Sequence, residues 1–101
     1  MIDLDPKHLD LVKEILKQHA PHHPVLVFGS RVEGNAKKYS DLDLVLKGAD
    51  KVPVKTLSSL REAFAESNLP FQVDIIDWYR ISPEFREVIL RRFLVLPGDK
   101  A

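Results

Sequence analysis

Residues 41–46 read Asp-Leu-Asp-Leu-Val-Leu, an alternation that a β-strand laid across an apolar core satisfies directly. Strand side chains alternate between faces, so Asp41 and Asp43 share one face while Leu42, Leu44 and Leu46 share the other. Two carboxylates so placed repel each other unless a cation lies between them. A solvated strand edge or turn also reads Asp-x-Asp, and for this stretch alone that plainer reading is the commoner one.

Further elements are predicted on both sides of this strand. Asp5-Pro6 has the form of an N-cap followed by proline at the first helical position. Leu9, Val12, Leu16 and His19 recur at helical spacing, which predicts a helix over 6–19 that Pro21 and Pro24 break. Val25-Leu26-Val27-Phe28 is a short apolar run, read as a buried strand ending at Gly29-Ser30. Val54, Leu57, Leu60 and Phe64 mark a second helix, and residues 71–78 a third strand. Ser82-Pro83-Glu84 starts a last helix whose apolar face is Phe85, Val88, Ile89 and Phe93, with Arg91 and Arg92 in its final turn. The expected fold class is α/β (α+β): a small mixed sheet packed against helices, with residues 1–101 as one domain.

Two more features join the carboxylate pair. A glycine after an apolar strand lets backbone approach a ligand closely, and Ser30 offers a hydroxyl and an N–H to phosphate oxygens. A short helix starting there would also turn its positive end toward an anion. Gly-Ser is equally an ordinary strand-ending turn. In the third strand, Asp74 stands among apolar residues, where a carboxylate without a partner is costly. Asp77 lies three positions on, hence on the opposite face, and reads as a strand-end residue in water.

The chain has no cysteine, which removes disulfides and thiolate zinc sites. His19, His22 and His23 straddle a proline-broken loop without a clear fourth ligand, and a zinc site is not expected there. Oxygen-only donors favour magnesium or manganese. The formal net charge is zero, which argues against a broad nucleic-acid surface but not against a small anionic ligand. Met1 to Pro6 do not read as a signal peptide and no apolar run approaches a membrane span, so a cytoplasmic protein is expected. Lys37 and Lys38 read as solvated loop charges, and Trp78-Tyr79 as packing residues.

Gly29-Ser30, ten intervening residues, Asp41-Leu42-Asp43 and a later strand aspartate together resemble the signature of the DNA polymerase β-like nucleotidyltransferases. The run GSRVEGNAKKYSDLDLVL is similar to the minimal nucleotidyltransferases, the MntA-type antitoxins paired with HEPN-domain toxins. The resemblance spans essentially the whole chain. Val32-Glu33 departs from it, since many relatives carry small or basic residues there.

The resemblance implies a polymerase β-like palm fold and AMP transfer from ATP to a tyrosine hydroxyl of a HEPN RNase toxin. It implies two magnesium ions on Asp41, Asp43 and Asp74, with Asp74 nearer the attacking hydroxyl. Gly29 and Ser30 would hold the outer phosphates, and Arg31 would neutralise charge on the leaving pyrophosphate. The implied partners are ATP and the toxin, in a hetero-oligomer, with no direct nucleic acid and no membrane. Two other readings stay open: an antitoxin that acts by contact alone, and a transferase for a small-molecule hydroxyl or nucleic-acid end. A pure binder needs none of the four residues Ser30, Asp41, Asp43 and Asp74. The small-molecule and nucleic-acid transferases normally carry an added acceptor-holding domain.

Overall fold

The computed structural model describes residues 2–96. Helix α1 (Pro6–His19) begins where the Asp5 carboxylate accepts a hydrogen bond from the Lys7 N–H at 2.8 Å. Its buried stripe is Val12, Ile15 and Leu16. Strand β1 (Val25–Phe28) leads into the single-turn helix α2 (Ser30–Glu33), and strand β2 (Leu42–Leu46) follows. Helix α3 (Val54–Ala65) and strand β3 (Val73–Asp77) come next. A 3₁₀ turn over Trp78–Arg80 precedes helix α4 (Pro83–Arg91), where the Ser82 hydroxyl accepts from the Phe85 N–H at 3.1 Å. Strand β4 (Leu94–Val95) closes the described chain.

The four strands form one mixed sheet in the order β3-β2-β1-β4. β1 runs antiparallel to both β2 and β4, while β2 and β3 are parallel, with α3 in the crossover between them. Alternation divides the sheet into two unlike faces. Val25, Val27, Leu42, Leu44, Leu46 and Ile75 enter the larger core with α1 and α3. Leu26 and Val45 face the other way and meet only Trp78 and Ile89 as buried partners, with Phe28 and Ile76 partly covered beside them. The second face is therefore thinly roofed, by α4 and the 3₁₀ turn.

Three details differ from the sequence reading. β4 was not expected, because two residues carry no periodic signal; pairing with Leu26 and Val27 creates it. α4 ends at Arg91, so Arg92 and Phe93, expected in the helix, lie beyond it; within the helix Ile89 alone is buried while Phe85 and Val88 stay exposed, since α4 covers one end of a small sheet face. The third strand is shorter than 71–78: Phe71 packs into the main core, and Asp77 turns the chain into the 3₁₀ segment. Among the described residues, no helix is long and apolar enough to cross a membrane.

Candidate active site

The carboxylates gather on the thinly roofed face. Phe28, Asp43 and Asp74 form one row across the sheet, because Phe28 pairs with Asp43 and Asp43 with Asp74. Asp41 lies just before β2 and is exposed; Asp43 and Asp74 are half-buried. The burial of Leu42, Leu44 and Leu46 puts Asp43 on the opposite, open face, and Asp41, outside the strand, lies near enough for its charge to act on Asp43. Burial pushes the Asp43 carboxyl up to about 6, and the negative charges of Asp74 and Asp41, with a hydrogen bond to Asp74, push the same way. Gln72 reaches toward this cluster, its Nε2 standing 3.4 Å from Asp74 Oδ1.

Gly29 sits where β1 ends, against the same carboxylate. Its φ of 84° and ψ of −160° lie in a region essentially restricted to glycine. A Cβ at this position would run into the Asp43 carboxylate. The sequence Phe-Gly-Ser thus lets the backbone turn sharply over Asp43 and start α2 at Ser30. A cavity of about 840 Å³ opens beside Asp43 and Asp74, with Phe28, Ile76, Arg61 and Phe85 among its walls. Phe28 and Phe85 meet edge-to-face there, with ring centroids 5.8 Å apart. The volume lies within the range of small-molecule sites.

The donor set suits a hard divalent cation: carboxylate oxygens only, one of them holding its proton more tightly than usual through burial and, after that, through the neighbouring negative charges. Among the described residues, no three His, Asp or Glu side chains stand together at ligating distance, so the cluster is a spread one.

Two residues stand elsewhere than the sequence reading put them. Arg31 was expected on phosphate, but it is buried, with 6% of its surface exposed. Its guanidinium donates to the backbone carbonyls of Asp3 (2.8 Å), Ser40 (3.0 Å) and Lys38 (3.2 Å) and lies 4.4 Å over the Phe71 ring. Asp77 was expected in water, yet it is 2% exposed. Its carboxylate accepts from the Val52 N–H at 2.8 Å and the Tyr79 N–H at 3.1 Å and pairs with Arg80. An aspartate at the start of a turn that accepts from the N–H two residues on is a capping signal, and Asp77 could have been read that way. Nothing local in the sequence announces the buried arginine, or the meeting of Phe28 with Phe85.

The model of the polymerase β nucleotidyltransferase family matches residues 10–99. A probable protein adenylyltransferase MntA from Haemophilus influenzae is 44% identical over 95 residues, which cover 94% of this chain and 83% of that protein. Among solved structures, a toxin–antitoxin with AMP-PNP superposes with a TM-score of 0.73 at 22% identity, over 95% of this chain and 76% of that one. An MNT antitoxin complexed with a tri-AMPylated HEPN toxin of Shewanella oneidensis gives 0.67 at 21% identity, over 92% and 71%. At these identities the two structures speak for the fold.

Proposed function

The chain belongs to the polymerase β nucleotidyltransferase family, and we propose that it transfers AMP from ATP to a tyrosine hydroxyl of a HEPN-domain toxin, neutralising it. The observation that carries this reading is the row of Asp43 and Asp74 on an open sheet face, with Asp41 nearby and Gly29-Ser30 turning over it. The relative from Haemophilus influenzae is described as a protein adenylyltransferase, and the Shewanella oneidensis toxin carries AMP.

Asp41, Asp43 and Asp74 would hold magnesium, two ions in all. Bound there, magnesium supplies charge neutralisation at the α-phosphate and on the departing pyrophosphate. Ser30 and the Gly29-Ser30 backbone bind the outer phosphates and orient the leaving group. The acceptor oxygen attacks the α-phosphorus from the side opposite the pyrophosphate. The new O–P bond forms as the α–β phosphoanhydride bond breaks. Asp74, at the far end of the row from Phe28, takes up the hydroxyl proton. The cavity beside Asp74 has room for an aromatic side chain brought in by a protein. AMP on a tyrosine adds bulk and negative charge where RNA phosphates must approach, which disables an RNase.

Incubation with the HEPN partner, ATP and magnesium, followed by intact mass analysis, tests the reading. The toxin should gain one or more AMP units at tyrosine, lose RNase activity, and stay inactive after this chain is removed. Inhibition that disappears on separation, with no mass gained, would mean neutralisation by contact alone.

A further inference from the structure

We propose that Arg31 is a positioning residue: one buried side chain that fixes Asp41 relative to the Gly29-Ser30 turn. The inference rests on the metal-ligand role proposed above for Asp41.

Arg31 follows Ser30 directly and lies inside α2, so its backbone moves with the turn that would hold phosphate. Its side chain reaches the opposite partner. Nε donates to the carbonyl of Ser40, the residue immediately before Asp41, and Nη2 to that of Lys38. Residues 35–41 lie in neither helix nor strand; ladder pairing begins only at Leu42. Within that stretch a small turn closes on itself, through Lys37 N–H to Ser40 Oγ at 2.7 Å and Ser40 N–H to Lys37 O at 3.1 Å. The arginine is what joins this turn to α2. Nη1 adds a third tie, to Asp3, whose own N–H donates back to the Arg31 carbonyl at 2.8 Å. Phe71 lies beneath the guanidinium, two residues before β3, so the plane also abuts the segment that leads to Asp74.

The chemistry of the side chain suits this task. A guanidinium offers donors in several directions within one rigid plane and stacks on an aromatic ring. An ammonium is a compact point charge that cannot reach three carbonyls and cover a ring together. A misplacement of about 1 Å in a catalytic group costs on the order of a hundredfold in rate. A loop held by one planar side chain is therefore sensitive to that plane.

Two variants and a comparator test the assignment on the full chain. R31K keeps the charge and the aliphatic stem, and F71L removes the ring while keeping the arginine. D77N weakens a buried tie at the other end of β3, away from the candidate site. The readouts are the affinity for ATP with magnesium, amide hydrogen exchange over residues 37–42, and the melting temperature. R31K should bind the nucleotide at least about tenfold more weakly and lose exchange protection over 37–42, with F71L shifting both the same way by less. D77N should lower the melting temperature and leave both other readouts as in the parent protein. Parent-like nucleotide affinity in R31K, or an equal loss of affinity in D77N at matched stability, overturns the inference. A parent chain whose ATP binding ignores magnesium overturns the metal role and this inference with it. Because F71L retains the arginine, a failure of R31K to fold leaves the comparison of F71L with D77N to decide.

Discussion

Asp43 of β2 and Asp74 of β3 stand directly opposite one another in the parallel ladder, both on the face of the sheet away from α1 and α3. Neighbouring strands lie about 4.8 Å apart, so two carboxylates so paired crowd one another. Burial raises the Asp43 carboxyl to about 6, and that crowding adds in the same direction. The ladder thus stores like-charge repulsion that a bound cation would relieve.

Replacing Asp43 with asparagine should separate stability from activity. In the unfolded chain this carboxyl ionises near its ordinary 3.8; in the folded protein it does so near 6. The folded state therefore holds a proton between those values that the unfolded chain has released, and stability falls as pH rises through that window. The penalty is complete above about pH 6 and absent well below pH 4. D43N should melt a few degrees higher than the parent at pH 7 without metal, with no gain at pH 3.5, while transfer falls by roughly a hundredfold or more. Calorimetry at the two pH values and a transfer assay check both halves. Full activity in D43N would remove the ligand role.

The same group sets a pH dependence for cofactor binding. Protonated Asp43 cannot bind a cation, so affinity for magnesium with ATP should weaken progressively as pH drops below about 6. Isothermal titration from pH 5 to pH 8 measures it. A flat profile would place the ion elsewhere.

Gly29 is bound by two constraints, its backbone conformation and the carboxylate of Asp43 beside it. G29A should cost roughly 1–3 kcal/mol in stability and abolish transfer together. Denaturant melts alongside the transfer assay give the outcome. A stable and active G29A would mean that the turn has another accessible shape.

Asp74 and Asp77 share a strand but have different neighbours. D74A should lose metal-dependent transfer and keep its fold, because Asp74 is half-buried beside an open cavity. D77A leaves the Val52 and Tyr79 N–H groups and Arg80 without their partner, and should cost about 2–3 kcal/mol. Paired melting and activity measurements decide. A stable, inactive D77A would reverse the assignment of the two residues.

Ser30 should act on phosphate and not as a nucleophile. S30A is expected to bind ATP about tenfold more weakly and to transfer slowly, in keeping with the loss of one charge-assisted hydrogen bond. Mass analysis of the chain during turnover checks the second half. A nucleotide attached to Ser30 would contradict it.

Much of this architecture was legible along the chain because the signals are local. The cap at Asp5 and the apolar spacing of α1 predicted a helix over the residues that form it, and Ser82-Pro83 started α4 where it starts. Strand alternation placed Leu42, Leu44 and Leu46 in the core, with Asp43 on the other face. The fate of Arg31 and Asp77 was not legible. A charged side chain has the same local appearance whether it meets water or a distant carbonyl, and the carbonyl partners of Arg31 lie up to 28 residues away.

What the sequence by itself determined is which residues turn to the same side of each strand, since a period of two needs no partner to express it. It also supplied the glycine that alone can turn over a carboxylate. What only the tertiary structure decided is which of those faces meet. The parallel register sets Asp74 against Asp43, and a slip of one residue would have turned Asp74 into the main core. The antiparallel register sets Phe28 on the other side of Asp43, and α4 then carries Phe85 over to it. Register follows from packing the whole apolar set of β1, β2 and β3 against α1 and α3 at once, a condition on the assembled core that no single segment contains.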